Sequence, residues 1–168
     1  MEPSNDHVEI IREAFRYTQA FRDKTFVFQL DDAVVTDPVI SALVRDLVLL
    51  QRAGIRIVLV AGARRRIDEV LTRYRVTCDS HEGVRISTSE AIPFIKMAAF
   101  DVANRIMTSL SGLGVNAVIG NWVRARSIGV VDGVDYKDAG VVDKIRVDLL
   151  RGVVDQGSIP ILPCIGWS

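Results

Sequence analysis

The sequence has few of the residues from which disulfide frameworks, metal centres and histidine-dependent sites are built. It contains two cysteines and two histidines in 168 residues. Cys78 and Cys164 stand far apart, with neither a C-x-x-C pair nor metal-ligand spacing. A reduced, cytoplasmic protein with two buried, inert cysteines is therefore expected. His7 and His81 are isolated, which favours surface residues over ligands or bases.

Excess charge of one sign and long apolar runs are also missing. Lysine plus arginine and aspartate plus glutamate each number 21, so the formal net charge is zero. A nucleic-acid partner is therefore not expected. No apolar run approaches the ~20 residues of a membrane span, and no signal peptide is indicated. Hydrophobic residues make up 49% of the chain, which is enough for one domain with a sizeable core.

Familiar catalytic motifs are absent. The chain has no G-x-x-x-x-G-K-[ST] phosphate loop, no G-x-G-x-x-G after a strand and no G-x-S-x-G elbow. Asp31-Asp32 follow a predicted strand directly and could hold a metal or act as a base. A helix-capping or loop-solvating role is favoured for them, because carboxylates at strand ends commonly serve in that way. No catalytic residue, metal ligand or cofactor of this chain is predicted.

The stretch Ile55–Tyr74 contains a strand, a small-residue turn and a helix. Ile55–Val60 is apolar and β-branched, as strands buried on both faces are. After Ala61-Gly62-Ala63, apolar residues three and four apart predict a helix: Ile67, Val70, Leu71 and Tyr74. The helix start, with Arg64–Arg66 beside it, suits an anion. Small residues that merely allow close packing are an equally good interpretation.

The rest of the chain also alternates between helical and extended patterns. Helices are predicted over His7–Phe21, Val39–Arg52, Ala91–Leu110 and Val147–Gln156, and strands over Thr25–Leu30, Val115–Ile119 and Ile159–Ile165. Trp122–Ser127 is expected to pair with Val141–Arg146 as a hairpin. This alternation predicts an α/β domain with an open, mainly parallel sheet. The chain stops just after its last predicted strand, so we expect only part of a domain.

Helix ends carry recognisable signals. Asn5 or Asp6 is expected to cap the first helix. Asp37-Pro38 should begin the second, with Asp37 as the cap and Pro38 at the first helical position. Ser87 to Glu90 matches a capping box before the longest helix.

The first helix has apolar residues around much of its circumference: Val8, Ile10, Ile11, Ala14, Phe15, Tyr17 and Phe21. A helix that packs only on its own domain needs one apolar stripe. The breadth of this face predicts a second partner, and a two-fold contact with another copy of the chain is the simplest one. The alternative is a helix that folds back onto the sheet.

The order of these motifs resembles the amino-acid kinase fold. Within it, the chain is most similar to the arginine-biosynthesis branch, which comprises N-acetylglutamate kinases and the kinase-like domain of bacterial N-acetylglutamate synthases. The likeness is carried by residues 17–27, 46–54, 60–68, 83–87, 120–121, 129–136, 140 and 157–165. Residues 62–68, GARRRID, match the synthase pattern G-[AS]-R-P-Q-I-[DE] except at Arg65 and Arg66. Kinases have H-G-G-G-P at Ala61–Arg65, so the synthases are the closer match.

The resemblance implies that this domain does not transfer phosphate. Kinases of the family have a lysine and two glycines at the end of the first strand, where this chain has Gln29 and Asp31-Asp32. At ~4 Å and an effective dielectric near 20, each pair of like charges costs roughly 4 kcal/mol. Two carboxylates there would repel a nucleotide phosphate.

The resemblance also implies a regulatory, oligomerising domain that binds arginine. Residues 1–21 would form a helix that interlaces with its counterpart in a neighbouring subunit, with Tyr17 on the effector side. Residues 22–168 would be the amino-terminal part of the kinase-like domain. Gly62, Ala63 and Arg85 match a substrate-binding pocket that is vestigial in synthases. Arg85 could bind a carboxylate through two parallel hydrogen bonds, whereas its residue type and neighbours alone favour a surface salt bridge.

Acetyl transfer from acetyl-CoA to glutamate belongs, in the synthases, to a separate domain further along the chain. The sequence has no R/Q-x-x-G-x-G/A pattern for that domain. Two alternatives remain open. The chain could be a fragment of an acetylglutamate kinase, or a stand-alone metabolite-binding domain without activity.

Overall fold

The computed structural model describes residues 5–36 and 38–168, except for the side chain of Asn5. Its helices are α1 (Asn5–Phe21), α2 (Asp32–Thr36), α3 (Ile40–Arg52), α4 (Arg64–Arg73), α5 (Ile92–Ser111) and α6 (Val147–Asp155). Its strands are β1 (Thr25–Leu30), β2 (Arg56–Ala61), β3 (Ser80–His81), β4 (Val84–Arg85), β5 (Ala117–Ile119), β6 (Val123–Ser127), β7 (Val130–Val131), β8 (Val134–Asp135), β9 (Gly140–Ile145) and β10 (Ile159–Pro163).

The central sheet has four strands in the order β1-β2-β10-β5, and all of its pairings are parallel. The prediction of an α/β domain with a mainly parallel sheet is therefore confirmed. β6 and β9 pair antiparallel, as expected, although a second hairpin, β7 with β8, is inserted between them. β3 and β4 form a further short hairpin.

The sheet is covered on both faces at its centre, so its two middle strands are buried. α3 and α5 pack on one face, against β2 residues such as Ile57 and Leu59. α6 covers the other face, where Val58, Trp122 and Leu162 form a smaller cluster. Successive residues of β2 point to opposite faces, which explains the continuous apolar run. β1 is an edge strand, and its Val27 is 65% exposed.

α1 projects from the domain instead of packing on the sheet. Every side chain described in this helix is exposed except those of Val8 and Thr18, which are partly buried. Its last residue, Phe21, contacts Phe26 of β1 edge-on, with ring centroids 5.3 Å apart. The interpretation that the helix folds back onto the sheet is therefore wrong.

Several predicted caps do not form or cannot be assessed. Asp6 lies inside α1 and does not cap it, while the side chain of Asn5 and all of Asp37 lie outside the described residues. Pro38 is not the first helical residue, because α3 begins at Ile40 after a turn. The five-residue α2 precedes that turn and was not predicted, since so short a helix has no periodic apolar pattern.

The capping box from Ser87 to Glu90 is also wrong. α5 begins at Ile92, and no side chain caps it at Ala91. Ser87 is buried, and its carbonyl accepts a hydrogen bond of 2.8 Å from the N–H of Asp138. This contact with the β8–β9 connection draws Ser87 away from the helix, so the Thr88 hydroxyl accepts the N–H of Ala91 instead, at 3.3 Å.

Candidate functional site

A cleft of about 770 Å³ opens at the carboxyl ends of β1, β2 and β10. Ligands of open α/β sheets bind at this edge. The cleft brings together three residues predicted from the sequence, Gly62, Ala63 and Arg85. It is also lined by Gln29, Asp31, Asp32, Arg64, Asp68, Lys96, Asp138 and Cys164, among others. Tyr17 lies elsewhere, on the projecting α1, where it is 57% exposed.

The turn between β2 and α4 approaches the end of β1 closely. The N–H of Gly62 donates to the carbonyl of Leu30 at 2.8 Å. A Cβ atom on Gly62 would lie 3.2 Å from that same oxygen and 3.6 Å from the Cα of Asp31. A side chain at this position would require the two strand ends to shift by a few tenths of an ångström, so glycine permits their close approach.

The two aspartates after β1 have different environments. Asp32 is 3% exposed, and its Oδ2 accepts a hydrogen bond of 2.8 Å from the N–H of Arg66 in the first turn of α4. Asp31 is exposed, and its Oδ1 accepts the N–H of Ala33 at 2.8 Å. That hydrogen bond is the main reason why the pKa of Asp31 is lowered. Both carboxylates bind backbone N–H groups, so the capping interpretation is confirmed.

Arg85 is paired within the chain, as the salt-bridge interpretation predicts. Its Nη2 donates to Oδ1 of Asp68 at 2.6 Å, and its side chain is 22% exposed. The side chain of Arg66 turns away from the cleft, towards α5, where its Nε lies 2.8 Å from Oδ2 of Asp101. Only Arg64 of the arginine run lines the cleft. The positive charge expected at the start of α4 is therefore smaller than the sequence indicates.

Cys164 lines the cleft and is exposed, and Cys78 is partly buried, so the expectation of two buried cysteines is wrong. β10 ends at Pro163, which places the next residue at the open end of the strand. Although the residue as a whole is exposed, its thiol is surrounded by protein atoms, and this desolvation raises the pKa of Cys164; the nearby Asp32 carboxylate adds to the effect. The position after a buried strand was the signal that could have identified this residue. His7 and His81 are exposed, as predicted.

The far wall of the cleft carries further charges that the sequence did not reveal. The Nζ of Lys96 lies 6.0 Å from the ring centroid of Trp167, and the hydroxyl of Ser89 donates to Oδ2 of Asp138 at 2.5 Å. Charged groups on the lining include four carboxylates and three cations: Asp31, Asp32, Asp68 and Asp138, and Arg64, Arg85 and Lys96. Such a balance suits a small mixed-charge metabolite better than a polyphosphate.

Two further findings, on metal sites and on membrane spans, apply to the residues that the structure describes. Within them, no three or more histidine, cysteine, aspartate or glutamate side chains are grouped as a metal site would require. No helix there has the length and apolar character needed to cross a membrane.

The chain belongs to the amino acid kinase family, whose model matches residues 24–167. It is 35% identical over 176 aligned residues to an amino-acid acetyltransferase of Edwardsiella ictaluri (strain 93-146). That alignment covers 99% of this chain but 40% of the relative. The chain thus spans about two fifths of the length of the curated relatives that it matches.

Solved structures give the same picture. The chain is similar to the N-acetylglutamate synthase of Neisseria gonorrhoeae in complex with coenzyme A and N-acetyl-glutamate, with a TM-score of 0.86 and 33% identity over 96% of this chain and 38% of that one. A second structure of that synthase holds coenzyme A and L-arginine, with a TM-score of 0.85, 32% identity and coverage of 96% and 40%. The expected resemblance to synthases is confirmed.

Proposed function

We propose that this chain is the kinase-like, regulatory and oligomerising part of an N-acetylglutamate synthase and does not itself transfer phosphate. The observation that carries the proposal is the buried Asp32 carboxylate at the start of α4, in a cleft where a kinase of this fold needs room for phosphate. Similarity to acetyltransferases over nearly the whole chain supports the same assignment.

The whole protein would transfer the acetyl group of acetyl-CoA to glutamate, the first step of arginine biosynthesis. Support comes from the names of the relatives and from the coenzyme A and N-acetyl-glutamate bound in the gonococcal synthase. Acetyl-CoA would bind to the acetyltransferase domain, outside this chain. Cytoplasmic location follows from this metabolic role and stays part of the proposal.

L-Arginine would act as the allosteric effector of the completed domain. The gonococcal complex with L-arginine supports this assignment. Tyr17 would lie on the effector side, at the end of α1, where its ring stacks on Phe21 with centroids 6.4 Å apart. Gly62, Ala63 and Arg85 would form the remnant of the substrate pocket, with Arg85 able to bind a carboxylate through the donors that Asp68 does not use.

Residues 1–21 would form the oligomerising element, and residues 22–168 the kinase-like part. Three large apolar side chains of α1 are strongly exposed: Ile10 at 63%, Ile11 at 55% and Phe15 at 67%. Burying each contributes ~1.5–3 kcal/mol before association costs. A two-fold contact between α1 helices would remove these side chains from water in both subunits.

Activity assays of the full-length protein that contains this chain test the catalytic part of the proposal. We expect acetyl-CoA-dependent acetylation of glutamate and no ATP-dependent phosphorylation of N-acetylglutamate above background. Phosphorylation at a rate typical of kinases would show instead that the chain belongs to an acetylglutamate kinase. If the protein catalyses neither acetylation nor phosphorylation, a metabolite-binding protein without activity would be favoured.

Light scattering tests the oligomerising role of α1. Replacing Ile11 and Phe15 with Asp should lower the molecular mass, since each charge would have to be buried in the contact. Replacing Arg16 and Gln19 with Asp provides a control on the same helix, also at exposed positions. Equal masses for the two double variants and wild type, all folded by circular dichroism, would rule out α1 as the interface.

Calorimetry tests the pocket. Arg85→Ala should weaken the binding of N-acetylglutamate or glutamate to the full-length protein with inactivated acetyl transfer, because a carboxylate partner is lost. Asp68→Asn is the matched control, since it removes the internal partner of Arg85 but leaves the guanidinium in place. Identical isotherms for Arg85→Ala and wild type would remove Arg85 from the site.

A further inference from the structure

The start of α4 already holds an anion, and that anion belongs to the protein. Asp32 is 3% exposed, and its Oδ2 lies 2.8 Å from the backbone nitrogen of Arg66, the third residue of the helix. α4 has ten residues and carries positive partial charge at its first turn. A buried carboxylate is costly unless it is paired. The hydrogen bond and the helix dipole therefore hold Asp32 in place.

A neighbouring donor of the same turn is used internally as well. The N–H of Gly62 donates to the carbonyl of Leu30 at 2.8 Å. An anion that entered the cleft at this turn would therefore find the N–H groups of Gly62 and Arg66 already engaged. It would also meet the Asp31 carboxylate, which is exposed on the cleft wall.

We propose that Asp32 is an internal anion that determines the specificity of this cleft, closing the start of α4 to phosphate and other external anions. Two effects act together. The carboxylate fills the position beside the Arg66 N–H, and its charge repels a second anion. With the side chain removed, the same N–H and helix dipole would be available to a small external anion that enters from the cleft.

A purely structural cap is the competing interpretation. Asp32 begins α2 and binds α4, so it also ties two helices together across 34 positions of sequence. Under this interpretation, removal of the side chain lowers stability without giving the chain affinity for any anion. Stability alone does not distinguish the two interpretations, whereas anion binding does.

Chemical rescue of Asp32→Gly supplies the test. Formate replaces the missing carboxylate, so sodium formate should raise the Tm of Asp32→Gly above its value in sodium chloride of the same ionic strength, and should leave wild type unchanged. Phosphate, followed by ³¹P line broadening, should bind Asp32→Gly at least about tenfold more tightly than wild type, because the helix start is then free. Asp31→Gly is the matched control: it removes a neighbouring carboxylate that binds Ala33 instead, and it should respond like wild type.

Two further variants distinguish the space that the Asp32 side chain fills from the charge that it carries. They also keep the test valid if Asp32→Gly fails to fold. Asp32→Asn keeps the position filled without its charge and should not respond to formate. Asp32→Ser leaves most of the space open, with a hydroxyl that can still cap the helix, and should respond as Asp32→Gly does. Folded Asp32→Gly or Asp32→Ser with no response to either anion would overturn the proposal. So would equal phosphate binding by wild type, or a gain of phosphate binding by Asp32→Asn alone. These measurements use the full-length protein that contains this chain, without glutamate or arginine. The inference rests on the proposed function, but the two fail separately, because phosphorylation of N-acetylglutamate is assayed independently of anion binding by the Asp32 variants.

Discussion

The contact between Gly120 and Trp122 tests how the second face of the sheet is packed. A Cβ atom on Gly120 would lie 2.7 Å from Cζ2 and 2.8 Å from Cε2 of Trp122. The tryptophan is buried, in one cluster with Val58 and Leu162. Nonbonded carbons are in favourable contact near about 3.5–4.0 Å. Gly120→Ala therefore forces the indole, or the β5–β6 connection, to move by roughly 1 Å.

We expect Gly120→Ala to lower the free energy of unfolding by about 2 kcal/mol, within the range that overpacking costs. For a chain of 168 residues, this loss corresponds to a fall in Tm of roughly 4–8 °C. Thermal and urea unfolding followed by circular dichroism measure both quantities. Tryptophan emission gives a local readout, since a displaced Trp122 should emit at longer wavelength, while Trp167 is 41% exposed already.

Gly152→Ala is the matched control within the same face of the molecule. Gly152 lies inside α6, and an added Cβ atom there meets no heavy atom within 4 Å. Alanine in a helix interior should stabilise the chain by about 0.5–1 kcal/mol. Trp122→Phe provides a smaller ring, so the penalty of Gly120→Ala should shrink in that background. A wild-type Tm and emission spectrum for Gly120→Ala would refute the packing described for Trp122.

Three other measurements address two charges outside the cleft, Arg66 and Asp135, and the thiol of Cys164 on the cleft wall. Arg66→Gln should cost at most about 1 kcal/mol of stability in urea unfolding, and less in concentrated salt, because its ion pair with Asp101 is partly exposed; an undiminished cost in salt would contradict this. The pKa of Asp135 is lowered below its ordinary value of 3.8, chiefly by the N–H of Lys137, so its contribution to stability is present above about pH 3.8 and is lost as the pH falls through the lowered value. Asp135→Asn should consequently lower Tm at neutral pH but not in strong acid, and a Tm difference that persists in acid would be the contrary result. Since burial raises the pKa of Cys164, peptide mapping should show iodoacetamide labelling of this residue several-fold slower than that of a small thiol at the same pH; labelling at the rate of the free thiol would refute it.

Most elements of the fold could be predicted, because apolar periodicity is a local property. β1 has the same bounds as its prediction, Thr25–Leu30, and the helix after the Ala61-Gly62-Ala63 turn lies where expected. The order of strands in the sheet could not be predicted. β10 lies between β2 and β5, and the composition of a buried strand does not indicate which strands it pairs with.

Helix starts were predicted less well than helix faces, since a cap depends on where one side chain points. Ser87 has the residue type and spacing of a cap, but its carbonyl binds Asp138, and Thr88 takes the place beside Ala91. The competing contact comes from a segment about fifty positions further along the chain. A capping box can be recognised in sequence, whereas the tertiary contact that displaces it cannot.

Asp31 and Asp32 show the same limit within the candidate site. Both were expected to cap or to solvate a loop, and each does bind a backbone N–H. For Asp31 the donor is two residues away and the carboxylate is exposed, so local geometry alone predicts the contact. For Asp32 the donor is Arg66, in a helix that reaches it only because β1 and β2 pair in parallel with Leu30 beside Ala61. That register brings the end of β1 to the start of α4, buries one carboxylate of two chemically identical neighbours and leaves the other in the cleft. The difference between a solvated aspartate and an internal anion is therefore set by the pairing of two strands, and it becomes visible only when their register is known.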